Sequence, residues 1–124
     1  MRVAIFIPTK NRLGFIERIV SYYDSLKSNH PIYIGDASNV DLSRKTVAFL
    51  DKITNVEVHY FHWEGLGINQ THVKLAEEAA SEFEFCAYHC DDDYLIPSSL
   101  TKCAKFLSQN SDSRTAQGRA ALVV

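Results

Sequence analysis

Short apolar segments alternate with longer segments of helical periodicity along this chain. The first apolar segment, residues 3–7, is rich in β-branched side chains, as in a buried strand. The segment after it has apolar residues at helical spacing, with Asn11 as its expected N-cap, and Asp41 is the expected N-cap of the second helix. The alternation predicts strands at 3–7, 31–34, 56–61, 84–90 and 120–124, and helices at about 15–26, 41–53, 68–83 and 97–109. Because consecutive parallel strands need helical crossovers, this order predicts a three-layer α/β/α domain with a mostly parallel sheet.

The composition is typical of one soluble globular domain. No apolar run approaches the roughly 20 residues that span a bilayer, so we expect no transmembrane segment. A net charge of −2 gives no electrostatic reason to expect nucleic acid or an anionic membrane as a partner. Three cysteines are an odd number that is more typical of a reducing cytosol than of a disulfide framework, so we expect a cytoplasmic protein. The last predicted strand has no closing helix, which favours either a homo-oligomer or a missing C-terminal half.

Three consecutive carboxylates, Asp91, Asp92 and Asp93, follow the fourth predicted strand. Residues 85–89 are predicted to form a buried strand, and Pro97 suits the first turn of the next helix. Adjacent carboxylates repel one another, so they favour either a hard divalent cation that also contacts a phosphate or a fully solvated turn. Zinc is not expected, because the cysteines and histidines nearby match no structural zinc spacing.

Three strand exits are predicted to meet at one edge of the sheet, namely 8–12, 35–38 and 91–93. Ligands of open α/β sheets bind in the crevice outside those strand ends. The exits combine basic, amide and acidic side chains, as a metal-bound nucleoside diphosphate requires. No glycine-rich phosphate loop follows the first strand, so we expect a metal, and not a backbone cradle, to hold the phosphates.

The motifs IFIPTKNR at 5–12, IGDAS at 34–38 and CDDDYLIP at 90–97 resemble those of the family 2 glycosyltransferases of the GT-A type. The resemblance implies a donor site for a nucleotide-diphospho-sugar, with a UDP-sugar expected. It implies that the acid after the second strand, Asp36, binds uracil or another base, and that Asp92 and Asp93 bind Mn²⁺ or Mg²⁺. It further implies that the first exit loop contacts the nucleotide, through Pro8, Thr9, Asn11 and Arg12, and that Asp91, the acid beside the metal ligands, does so as well. A residue of the third helix takes the place of an arginine of the family that reaches the nucleotide; this residue is expected to be His72, with Lys74 as the alternative.

The sequence departs from the family pattern in three ways. Gly35 replaces the first of two acids in the second exit loop, and Cys90 stands in the first position of an Asp-x-Asp-Asp motif. Family members also continue well beyond this length, so residues 1–124 are expected to be the donor-binding portion, without the acceptor-binding half or the general base. Glycosyl transfer to an unknown acceptor is therefore the expected function, and a nucleotide- or sugar-binding module without transferase activity is the alternative.

Other interpretations of the same residues remain open. Asp36 and Asn11 are also suited to capping turns or helices, and His72 on an apolar helix face is also suited to the core. A nucleotidyltransferase is disfavoured because it generally needs a glycine-rich, basic segment after the first strand. A phosphoacceptor receiver domain is disfavoured because it needs its acid pair at that same position.

Overall fold

The computed structural model describes residues 1–122, in which strands and helices alternate as predicted. The elements are β1 (Ala4–Thr9), α1 (Leu13–Ser25), β2 (Ile32–Asp36), α2 (Val40–Leu50), β3 (Val58–His62), α3 (Ile68–Ala79), β4 (Cys86–Tyr88) and α4 (Pro97–Gln109). The four strands form a parallel sheet in the order β3-β2-β1-β4. The predicted α/β fold with a parallel sheet is confirmed.

The two faces of the sheet are covered by different helices because successive residues of a strand point to opposite sides. Ile5 pairs with Ile32 and Ile7 with Ile34 on one face, where they form a core with buried residues of α1. Residues of α2 and α4 pack around the edge of this core. On the other face, Phe6 and Tyr33 pack against Leu75 and Ala79 of α3. The result is the predicted three-layer arrangement.

The prediction of a buried fourth strand at 85–89 was wrong. The strand β4 has three residues, pairs with β1 on one side and leaves Cys86 and Tyr88 exposed. The apolar sequence of the strand does not by itself determine its burial, because burial depends on the elements that pack against it. The predicted fifth strand was wrong for residues 120–122, which have no regular structure, and its remaining residues 123–124 lie outside the described residues.

Both predicted N-caps were wrong as well. Arg12 occupies the N-cap position of α1, because its backbone, with φ of −134° and ψ of 48°, is not helical, and Asn11 before it takes the left-handed conformation with φ of 55°. Asn39 caps α2, and its Oδ1 accepts a hydrogen bond from the Leu42 N–H at 2.9 Å, which leaves Asp41 in the first turn. Among residues 1–122, none of the helices combines the length and the apolar character that crossing a membrane requires.

Candidate functional site

The loops after β1 and β2 are bound to each other at the carboxyl end of the sheet. Thr9 and Asp36 are register partners, and the Ala37 N–H donates to the Thr9 carbonyl oxygen at 2.9 Å. The Asn11 N–H donates to Ser38 Oγ at 2.7 Å. The left-handed backbone of Asn11 therefore serves a contact between the two loops. Two of the three predicted strand exits are thus fixed side by side.

The acidic segment reaches the same edge through Asp91, whose side chain is 5% exposed. Thr9 Oγ1 donates to Asp91 Oδ2 at 2.9 Å, and Arg12 Nη1 lies 3.0 Å from Asp91 Oδ1. The Arg12 guanidinium also lies 3.9 Å from the centre of the Phe15 ring, so a cation–π contact with this ring adds to its contact with Asp91. Both oxygens of Asp91 are therefore engaged in joining the acidic segment to the first exit loop. The structure brings Thr9, Arg12 and Asp91 together, as expected for strand exits of one sheet, while Pro8 is buried within β1.

Asp36 is 1% exposed, and both of its oxygens accept hydrogen bonds. Oδ1 accepts from the Ser38 N–H at 2.9 Å, and Oδ2 accepts from the Tyr60 hydroxyl at 2.6 Å. Burial and the hydrogen bond to the Asp36 carboxylate raise the pKa of Tyr60, so its hydroxyl stays protonated and donates. In this arrangement Asp36 fixes the loop at 36–38. Sequence reasoning missed Tyr60, which belongs to no motif and reaches Asp36 only because β3 lies beside β2.

Gly35 has no room for a side chain. A Cβ at this position would lie 2.3 Å from Thr71 Cγ2 and 3.2 Å from the Trp63 ring. A side chain at position 35 would point toward α3, whereas the Asp36 carboxylate lies on the opposite face of the sheet, because the two residues are adjacent in β2. The close approach of α3 to β2 therefore leaves no room for the acid that the resemblance implies at this position.

Three exposed side chains at the start of the acidic segment converge on one point. One ligand atom each from Cys90, Asp92 and Asp93 lies within 4.8 Å of the others. Carboxylate oxygens are the preferred protein ligands of Mg²⁺ and Mn²⁺, so the Asp92 and Asp93 carboxylates fit such a cation, whereas a cysteine sulfur favours softer metals. Arg12 Nη2 lies 3.6 Å from Asp92 Oδ2, which places a positive charge next to the cluster. Partial removal of the Cys90 thiol from water and the charges of the three neighbouring aspartates raise its pKa. Asp91 is outside the cluster, since it faces Thr9 and Arg12.

His72 lies apart from these contacts, on the α3 side of the sheet. Its ring centre is 4.7 Å from that of Tyr88, and burial lowers its pKa. The two rings line an open groove of about 710 Å³ together with Asn69 and Glu77. Lys74, the alternative to His72, lies 5.0 Å from the Trp63 ring. The sheet thus separates the His72 side chain from the Asp36 carboxylate, which faces Tyr60 on the α1 side.

Comparison with solved structures identifies the fold. The chain matches the crystal structure of S. aureus TarS 1-349, a GT-A glycosyltransferase, with a TM-score of 0.64 and 19% identity. The chain has the fold of the N-terminal part of a GT-A glycosyltransferase. The match covers 90% of this chain and 33% of the TarS chain, so the chain spans about a third of that structure. The structures of TarS 1-349 in complex with UDP-GlcNAc and with UDP match equally well, each with a TM-score of 0.64 and 19% identity over 90% of this chain. The match covers 32% of the TarS chain in the UDP-GlcNAc complex and 33% in the UDP complex. No protein-family model matches the sequence, and a search of curated proteins found no significant match.

Proposed function

We propose that the chain is the donor-binding portion of a glycosyltransferase that uses a metal-bound nucleotide-diphospho-sugar. The observation that carries this proposal is the attachment of the acidic segment to the first exit loop through Asp91, with contacts of 2.9 Å to Thr9 and 3.0 Å to Arg12. This attachment puts the cluster of Cys90, Asp92 and Asp93 at the carboxyl edge of a parallel sheet, where α/β proteins bind nucleotides. UDP-GlcNAc is bound by TarS 1-349, so a UDP-sugar is the donor that we propose first.

Each residue of the site has a proposed role that follows from its surroundings. Asp92 and Asp93 would hold Mn²⁺ or Mg²⁺, with the Cys90 thiol beside them. A divalent cation held there supplies Lewis-acid stabilisation of the charge on the departing nucleoside diphosphate. Arg12 spans Asp91 and Asp92, and its charge offsets part of the repulsion between the carboxylates and the phosphates.

The nucleoside would lie over the loops at 8–12 and 35–38. Asn11 and Arg12 are exposed there, whereas Thr9 and Asp36 are buried and hold the loops in place. A base that contacts Asp36 directly must approach oxygens that already accept from Ser38 and Tyr60. We therefore propose that Asp36 acts on the base mainly by ordering the backbone of its loop. His72 would reach only the part of the donor that extends toward Tyr88.

Glycosyl transfer also requires an acceptor site and a carboxylate that takes the proton of the acceptor hydroxyl. Glu64, exposed in the loop after β3, is the candidate among the described residues. We propose that a longer protein supplies the acceptor site and the principal base, since the chain spans a third of the TarS structures that it matches. The same coverage favours one alternative, a module that binds a nucleotide or sugar without transferring it. An assay of donor hydrolysis beside a binding assay distinguishes the two, because the alternative predicts binding alone.

The test of donor binding is the thermal stability of the chain with UDP and Mn²⁺. Ligand at about 100 times its Kd adds roughly 2.7 kcal/mol to the free energy of unfolding, so we expect the Tm to rise by several degrees. Asp92→Asn should abolish this rise. Asp112→Asn is the matched control, because it makes the same substitution at an exposed acid outside the site and should leave the rise intact. A wild-type Tm that does not change at millimolar UDP and Mn²⁺ would contradict a donor site.

A further inference from the structure

The segment that carries the acidic cluster is tied to helix α1 at both of its ends. His89 at its start is 4% exposed, and Tyr23 of α1 is fully buried. The Tyr23 hydroxyl lies 2.9 Å from His89 Nε2, and the Leu95 N–H donates to the same hydroxyl oxygen at 3.0 Å. The contact between the hydroxyl and Nε2 is a second hydrogen bond of the same phenol group, and the histidine tautomer sets which of the two donates. One phenol group therefore joins the two ends of the segment 89–95.

The preceding residue of α1 adds a second contact at the far end. The Tyr22 hydroxyl donates to the Leu95 carbonyl oxygen at 3.0 Å. The Tyr22 ring packs edge-on against Tyr94, with ring centres 5.0 Å apart, and against Tyr23, with ring centres 4.9 Å apart. Both backbone groups of Leu95 are thus bound to neighbouring tyrosines of a helix that belongs to the main core.

We infer that Tyr23 is a positioning residue for the divalent cation, since it fixes both ends of the segment from which Cys90, Asp92 and Asp93 project. This inference rests on the proposed function, because it concerns the affinity of that same cluster. Cys90, Asp92 and Asp93 are exposed, so their geometry depends on what holds the segment, which is Asp91 in the middle and the Tyr23 hydroxyl at the two ends. Substituting a residue that hydrogen-bonds a metal ligand changes metal affinity by about 10- to 100-fold, and Tyr23 acts one step further back, on the segment that carries the ligands, so we expect the lower end of this range.

The direct test is the Kd for Mn²⁺, measured by titration calorimetry on the full chain. Tyr23→Phe keeps the buried ring and removes the hydroxyl, which leaves the Leu95 N–H and His89 Nε2 without their shared partner. We expect the Kd for Mn²⁺ to rise about tenfold. His89→Gln keeps a hydrogen-bonding partner for the Tyr23 hydroxyl and should retain an affinity near that of the wild type, whereas His89→Leu should match Tyr23→Phe. These two variants also test the inference if Tyr23→Phe fails to fold.

A second measurement reports on the segment without metal. Loosening of residues 89–95 should raise the alkylation rate of the Cys90 thiol, followed by mass spectrometry of the Cys90 peptide. Thr46→Val is the control for a general loss of stability. Its buried hydroxyl donates to the Leu42 carbonyl at 3.1 Å within α2, away from the acidic segment. This control should change neither the Kd for Mn²⁺ nor the alkylation rate.

The outcomes separate the inference from the proposed function. A wild-type chain that binds no Mn²⁺ at millimolar concentration would overturn the proposed metal site and the inference with it. A wild-type chain that binds Mn²⁺, with equal Kd values and Cys90 alkylation rates in Tyr23→Phe and His89→Leu, would overturn only the inference. A raised Kd in these variants, with rescue by His89→Gln and no effect of Thr46→Val, would support it.

Discussion

Gly35→Ala tests whether the close approach of α3 to β2 determines the residue at the second strand exit. The new Cβ would lie 2.3 Å from Thr71 Cγ2, a separation at which one of the two groups must move. The Thr71 side chain is not free to rotate away, because its Oγ1 donates to the Gly67 carbonyl at 2.9 Å and the residue is 2% exposed. The strain must then be relieved by a shift of α3 relative to the sheet.

The expected cost follows from the geometry. Inserting a methyl group into a well-packed site costs about 1–3 kcal/mol, and we expect about 2 kcal/mol here because the nearest atom belongs to a constrained side chain. Thr71→Ser removes only the clashing methyl group and keeps the hydroxyl, so alone it should cost about 1 kcal/mol. In the double variant, the alanine methyl group occupies the space that the threonine methyl group left. We therefore expect the double variant to be no less stable than Gly35→Ala alone, with a coupling free energy of about 1–2 kcal/mol.

The assay is urea unfolding of the four proteins of this cycle, followed by circular dichroism. Gly118→Ala is the matched control, since a Cβ there would meet nothing within 4 Å, and its effect should stay within about 0.5 kcal/mol. The reasoning is refuted if Gly35→Ala is as stable as the wild type, or if Thr71→Ser leaves the cost of the alanine unchanged.

Three further predictions concern buried polar groups. Asp91→Asn should lower the free energy of unfolding by about 1–2 kcal/mol, because Arg12 loses the nearer of its two charged partners while the Thr9 contact keeps an acceptor, and urea unfolding showing no loss would contradict this. Tyr60→Phe should lower the free energy of unfolding by about 1.5–3 kcal/mol in the same assay, since the buried Asp36 carboxylate loses a hydrogen-bond donor. A loss below about 0.5 kcal/mol, which is typical of surface substitutions, would argue against this hydrogen bond. Burial lowers the pKa of His30 below 6.5, so the unfolded chain takes up this proton first as the pH falls. The contribution of His30 to the free energy of unfolding should therefore be constant above about pH 6.5 and fall below it. His30→Asn should weaken this fall in urea midpoints measured from pH 7.5 to 5, and a variant with the wild-type slope would show that His30 is not responsible.

The order of the elements could be predicted from the sequence because it depends on local patterns. Isoleucines at alternate positions of β1 and helical spacing in α1 reflect periods of two and 3.6 residues that a window of sequence contains. The start of α4 at Pro97 was predicted for a local reason as well, since proline suits the first turn of a helix. The cap of α2 was missed because Asn39 and Asp41 are both good capping residues, and the choice between them depends on the path of the preceding loop.

The parts of the site that required long-range contacts could be predicted only in outline. The meeting of the strand exits followed from the topology of a parallel sheet, and the contact between Thr9 and Asp91 is consistent with it. The partners of Asp36 and His89 could not be found in this way. Tyr60 and Tyr23 belong to other elements, and no local pattern distinguishes them from ordinary core tyrosines. The exposure of β4 also depends on what lies beside the strand and not on its own sequence.

The most direct test of the proposed donor site is an anomalous difference map from a crystal of this chain soaked with UDP-GlcNAc and MnCl₂. The account predicts one manganese peak between the Asp92 and Asp93 carboxylates, in contact with the diphosphate of a donor that lies over the Thr9–Arg12 loop. Manganese bound elsewhere, or a diphosphate held away from these aspartates, would contradict it.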